Sequence, residues 1–83
     1  MVKVKYGEPY RTSFGKAKEK IKADTLGILL DQIEKKYQEK EHVNSIRKYS
    51  FLFLNNESLN RDDLEYKLKP KDEISIILMV SGG

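Results

Sequence analysis

The chain has no cysteine, no tryptophan, one histidine, two prolines and five glycines in 83 residues. Without cysteine there is no disulfide framework, no thiolate nucleophile and no thiolate-bound metal. The single histidine, His42, excludes a multi-histidine metal site, and it lies in a charged segment rather than beside a candidate nucleophile. No apolar run approaches the roughly 18 residues that a bilayer span needs. The first residues also lack the charged-then-apolar pattern of a secretory signal. A cytoplasmic protein with no membrane association is therefore expected. Glycine and proline are too sparse to form a linker, no segment repeats, and 39% of residues are hydrophobic. A chain this short buries only about 60% of its unfolded surface, enough for one core and too little for a roomy enclosed active site.

Charge is abundant but uneven. The net charge is +3, yet residues 1–22 carry seven basic and two acidic side chains, and the remainder is slightly acidic. A basic N-terminal third suits nucleic acid or an acidic protein surface. A lysine-guarded edge strand accounts for the same residues without a partner. The segment also lacks the interleaved aromatics of a nucleic-acid stacking platform, which argues against nucleic acid.

Hydrophobic period sets the expected elements. Val2-Lys3-Val4-Lys5-Tyr6 alternates, and Lys16 to Ala23 alternates again with every lysine on one face. Such runs, joined by a loop from Gly7 to Gly15, predict an antiparallel hairpin. Leu26, Leu29, Leu30, Ile33 and Tyr37 then recur at spacings of three and four, predicting a helix from Thr25 to Gln38 with Asp24 as N-cap. No element is predicted for the polar stretch Glu39–Lys48. Phe51 to Leu54 reads as a strand stopped by Asn55-Asn56, and Leu59, Leu64 and Leu68 suggest a very short strand and a helical turn. Glu73 to Val80 is the most apolar run and belongs in the middle of a sheet. One helix on one face of a mixed sheet, an α+β arrangement, solves the burial problem.

Three segments resemble the ubiquitin-like β-grasp sulfur carriers, which include the molybdopterin synthase small subunit and the thiamine-pathway carrier. They are Thr25-Leu26-Gly27-Ile28-Leu29-Leu30-Asp31, Leu52-Phe53-Leu54-Asn55-Asn56, and Lys71-Asp72-Glu73-Ile74 followed by Val80-Ser81-Gly82-Gly83. The resemblance implies a β-grasp domain over residues 1–80, a mixed sheet of four to five strands on one main helix, and a Gly-Gly tail over residues 81–83. Length suits the molybdopterin branch, but that branch commonly has a proline pair where this chain has Leu78-Met79. In the family, an activating enzyme of the ubiquitin-activating type uses ATP and Mg to adenylate the terminal carboxylate, which a sulfur donor converts to a thiocarboxylate. By that resemblance Gly83 is the reacting residue, with Ser81 and Gly82 in the tail. The partners are then the adenylating enzyme and, in the molybdopterin branch, the synthase large subunit. The carrier itself binds no cofactor or metal and has no catalytic residue.

The residues support that reading independently. No triad, metal cluster or phosphate-cradling loop is present in the sequence, since Gly7 and Gly15 are too far apart and lack a following helix. Residues without Cβ atoms at 82 and 83 fit a channel too narrow for side chains. Three extended residues reach about 10 Å, enough to carry a carboxylate off the domain. Met79 or Val80 is expected to end the last strand. Strand alternation turns Leu52, Leu54, Ile74, Ile76, Leu78 and Val80 toward the helix, and Phe51, Phe53, Ile77 and Met79 away from it. Those four, flanked by Lys3 and Lys5, form the expected partner interface, unless the Glu39–Tyr49 segment covers them. Conjugation to lysines through Gly83 stays open beside sulfur transfer, as does a noncatalytic β-grasp domain that binds RNA or an acidic partner.

Overall fold

The computed structural model describes residues 1–79. Val2–Tyr6 forms β1, Tyr10–Phe14 a short helix α1, Lys18–Ile21 β2, and Leu26–Lys36 the main helix α2. Ser45–Tyr49 forms α3, followed by β3 (Ser50–Leu54), β4 (Glu57–Leu59) and β5 (Glu73–Leu78). The strands make one mixed sheet in the order β2-β1-β5-β3-β4. β1 runs parallel to β5, while β1–β2, β3–β5 and β3–β4 are antiparallel. This is the ubiquitin-like β-grasp, and its most apolar strand is central, as the run of β-branched residues requires.

The core follows from two periods meeting. Leu26, Leu29, Leu30 and Ile33 are wholly buried on one face of α2. They share one cluster with Val2, Val4, Ile21, Leu52, Ile74 and Ile76 from the strands, and Leu54 and Leu78 pack against its rim.

Several boundaries differ from the sequence expectation. Thr25, not Asp24, caps α2: its backbone is extended (φ −135°, ψ 162°) and its Oγ1 accepts from the Ile28 N–H at 3.2 Å. Asp24 is held back because its carbonyl accepts from the Leu68 N–H, beside the Thr25–Lys67 bridge. The same loop supplies carbonyls to the helix start, Tyr66 to Leu26 N–H and Leu64 to Gly27 N–H. A Cβ at Gly27 would lie 3.0 Å from the Leu64 carbonyl oxygen, so glycine here permits the close approach. The expected helical turn near Leu64 is therefore a series of turns clamped to α2. The expected Gly7–Gly15 loop holds α1, which buries Tyr10 and Phe14.

The polar Glu39–Lys48 stretch holds α3, anchored by buried Val43 and Ile46. Arg47 ties it to α2 through Asp31 at 2.5 Å and Glu34 at 2.8 Å. β2 is shorter than the Lys16–Ala23 alternation. β5 ends at Leu78, although the Met79 N–H still donates to the Tyr49 carbonyl.

One carboxylate is built into the interior. Glu19 of β2 points inward with its side chain only 6% exposed. Its Oε2 accepts from Tyr6 Oη at 2.7 Å and Tyr37 Oη at 2.5 Å, while Oε1 is bound by Lys36 and has Lys16 at 3.9 Å. Burial opposes its ionisation, but the donors from Lys36, Tyr37 and Tyr6 outweigh that and hold the carboxyl below its usual range. Burial first, then the hydrogen bond to Glu19 and the charge of that carboxylate, push the hydroxyls of Tyr6 and Tyr37 upward. Phe14 stacks on Tyr37 with centroids 4.2 Å apart, closing an aromatic group around the carboxylate.

Candidate functional site

The face of the sheet turned away from α2 carries the candidate interface. β3 and β5 pair with Phe51 opposite Ile77 and Phe53 opposite Ser75. Residues directly opposite in a ladder project to the same face, so Phe51 and Ile77 form one apolar pair. They are 51% and 42% exposed, which shows that the Glu39–Tyr49 segment does not cover them. That segment instead sends Val43 and Ile46 into the core, leaving Tyr49 exposed beside the patch. Phe53 and Met79 are half-buried. A groove of ≈ 270 Å³ runs along this side, lined among others by Phe51, Met79, Ser58 and Arg61. Arg61 is oriented by its bond to the Ser50 carbonyl at 3.0 Å.

The two lysines expected at the flank divide. Lys5 faces Ser75, in the same cross-sheet row as Phe53. Lys3 faces Glu73 at the far end of β5, about 13 Å along the strand from Ile77. Both ammonium groups lie near the Glu73 carboxylate, at 3.9 Å for Lys3 and 3.6 Å for Lys5. Lys5 thus stands in the row of Phe53 and Lys3 one step further from it, with both charges drawn to Glu73.

The geometry aims the strand toward its tail. The turn before β5 is locked by Asn55, whose Oδ1 accepts from the Glu73 N–H at 2.9 Å and whose Nδ2 donates to Asp72 at 3.1 Å. Asn55 and Asn56 supply the positive φ values (49° and 72°) that a two-residue hairpin between β3 and β4 needs. With its start fixed, β5 delivers Ile77 and Met79 to the end of the sheet from which Val80-Ser81-Gly82-Gly83 continues. Val80 and the tail residues Ser81, Gly82 and Gly83 lie outside the described residues. Among the described residues, no group of three or more His, Asp or Glu side chains is placed to hold a metal. No helix among them is long and apolar enough to cross a membrane.

Sequence reasoning missed Arg61 and Tyr49 as border residues of the patch. Neither carries a local signal, because only the β3–β4 hairpin and α3 bring them to this face.

Comparison with known proteins gives one family. The family model of the ThiS family matches residues 6–83. No curated protein matches the chain. Among solved structures, the small archaeal modifier protein 1 (SAMP1) of Methanosarcina acetivorans superposes with a TM-score of 0.79 at 26% identity, covering 99% of this chain and 95% of that one. A chain of the complex of subunits 1 and 2 of the Helicobacter pylori molybdopterin-converting factor gives 0.69 at 29% identity, covering 99% of this chain and 97% of that one. The BexX/CysO complex of Amycolatopsis orientalis gives 0.74 at 21% identity with full coverage of both chains, a likeness of fold alone.

Proposed function

Because the chain belongs to the ThiS family of ubiquitin-like sulfur carriers, we propose that its working group is the carboxylate of Gly83 and that it carries sulfur for molybdopterin biosynthesis. A carboxylate oxygen of Gly83 attacks the α-phosphorus of ATP in a ubiquitin-activating-type enzyme, releasing pyrophosphate and leaving an acyl-adenylate. A sulfide-level donor then displaces AMP, leaving the thiocarboxylate. A free carboxylate is a poor acyl donor, and the adenylate supplies the leaving group that it lacks. This chain contributes the docking surface and a tail without side chains at its last two positions.

The observation that carries the reading is the exposed cross-strand pair of Phe51 on β3 and Ile77 on β5, the strand that leads into Gly82-Gly83. An apolar patch there suits a partner that must hold the domain while the tail enters a channel. The molybdopterin assignment leans on the likeness to a chain of the Helicobacter pylori complex of molybdopterin-converting factor subunits 1 and 2. The archaeal modifier favours a second use of the same end, amide linkage of Gly83 to lysines of other proteins.

ATP–pyrophosphate exchange with the cognate activating enzyme tests the reading. The full chain should support exchange, whereas deletion of Gly83 or the change Gly82→Val should abolish it with docking barely altered. Exchange by the truncated chain would refute the proposal. Adding a sulfur donor separates the two uses. Intact mass rising by one oxygen-for-sulfur replacement means carrier, and ladders on other proteins mean modifier.

A further inference from the structure

We propose that the free edge of β2 is a second docking site, which takes an extended acidic peptide segment as an added strand. β2 lies at the margin of the sheet and pairs only with β1. The Tyr6 N–H donates to the Ala17 carbonyl at 2.9 Å. With Lys5 opposite Lys18 and Lys3 opposite Lys20, the antiparallel alternation assigns the inward backbone bonds to Ala17, Glu19 and Ile21. The N–H and C=O groups of Lys18 and Lys20 therefore point outward, away from β1. At Lys22 the edge closes, because its carbonyl accepts from Gln32 Nε2 at 2.7 Å. The backbone groups open to a new strand thus belong to the same residues that carry positive charge.

Side chains on both sides of this edge fit the same occupant. On the open face, Lys18 and Lys20 stand beside Lys5 and Lys3, two residues apart and so about 6.8 Å apart along the strand. Acidic side chains at alternate positions of an added strand have that same repeat. On the helix side, β2 and α2 flank a shallow, open groove of ≈ 680 Å³ lined by Met1, Ile21, Gln32 and lysines at 20, 22, 35 and 36. The intervening side chains of an added strand would enter it, against Ile21 and the aliphatic stems of Lys35 and Lys36 on α2. Among the described residues, Lys18, Lys20, Lys22 and Lys35 have no carboxylate within ion-pair distance, and Lys36 is committed to Glu19.

Charge and backbone together select a peptide. A second copy of this chain would set lysine against lysine along the edge. A nucleic acid would satisfy the charge but has no alternating N–H and C=O groups to pair with the strand, and this edge exposes no aromatic ring on which a base could stack. An acidic segment satisfies both, by strand addition with alternate side chains read out on either face. β1 and β5 separate this edge from Phe51 on β3, a distance of about 14 Å. The edge residues Lys18 and Lys20 are therefore separate from the surface assigned to activation, and only Lys5 stands between the two.

The test uses the full chain, labelled with nitrogen-15, and a blocked peptide of alternating glutamate and valine. Saturable binding is expected, with the largest shifts and slowed exchange at the amides of Lys18 and Lys20. Affinity should fall at high salt and by at least about fivefold in Lys18→Gln/Lys20→Gln. Lys18→Arg/Lys20→Arg should retain it. Lys20→Pro removes an outward N–H that β1 does not use and should weaken binding further, with circular dichroism verifying the fold. The proposal is overturned if shifts map instead to Phe51 and Ile77, if the glutamine variant binds as well as the parent, or if an oligothymidylate binds better than the peptide. ATP–pyrophosphate exchange by the glutamine variant should stay within a few-fold of the parent, and its loss would overturn the independence of the two surfaces. Failure of the Gly83 test alone would leave this site standing.

Discussion

Replacing Glu19 with glutamine tests whether the inward carboxylate holds β1, β2 and α2 together. Glutamine has nearly the same shape, so its amide oxygen can take the position of Oε2, where the hydroxyls of Tyr6 and Tyr37 donate at 2.7 Å and 2.5 Å. Both bonds survive but lose their charge assistance, which costs about 1 kcal/mol each from the difference between charged and neutral hydrogen bonds. The amide nitrogen then faces Lys36, whose half-exposed ammonium turns to water at a cost of about 0–1 kcal/mol. The expected loss is about 2 kcal/mol, or roughly 8–16 °C in Tm for a domain of this size. Glu19→Ala should cost more, because the hydroxyls of two buried tyrosines would lose their acceptor.

The pH dependence has a defined sign. Glu19 is held below its ordinary value of 4.5, so its contribution is complete above that value and is lost as pH falls through the lowered one. Tyr6 and Tyr37 are raised from 10.0. Their folded state holds the proton more tightly, so that contribution is complete below about pH 10 and declines as pH rises beyond it. Urea unfolding from about pH 2 to about pH 11 reads the acid limb and the onset of the alkaline one, where the tyrosines of the unfolded chain begin to ionise. In Glu19→Gln the acid limb should flatten. A loss below about 0.5 kcal/mol at neutral pH, or an acid limb as steep as the parent's, would show that the carboxylate is a bystander.

Leu30→Ala removes a wholly buried side chain from the helix face and should cost about 2–5 kcal/mol in denaturant unfolding. A cost under about 0.5 kcal/mol would mean that another helix face meets the sheet. Phe51→Ala and Ile77→Ala remove exposed apolar surface and should leave the unfolding midpoint nearly unchanged while weakening binding to the activating enzyme about tenfold or more. Unaltered affinity in a titration would remove the patch from the interface.

Local period made much of this molecule legible in its sequence. The α2 stripe, the alternation of β1 and the apolar β5 each contain their own burial pattern, because a helix or strand meets its core with a fixed repeat. Asn55-Asn56 marked a turn for an equally local reason, since asparagine tolerates positive φ. The same alternation turned Phe51 and Ile77 outward, whereas the reading of Lys16 to Ala23 passed over Glu19, which shares the face of Ala17, Ile21 and Ala23. What that carboxylate was for could not be read there, because Tyr37 reaches it from another element.

Tertiary structure decided the rest. α3 forms in a polar stretch because Val43 and Ile46 find the core and Arg47 finds two carboxylates on α2. The helix begins one residue later than its composition suggests because a distant loop claims Asp24. Lys3 and Lys5 look equivalent in the sequence, yet Lys5 shares a row with Phe53 and Lys3 does not, since strand register is set by pairing between segments some seventy residues apart. Local repeats determine which face a residue takes. Only the assembled sheet determines its neighbours.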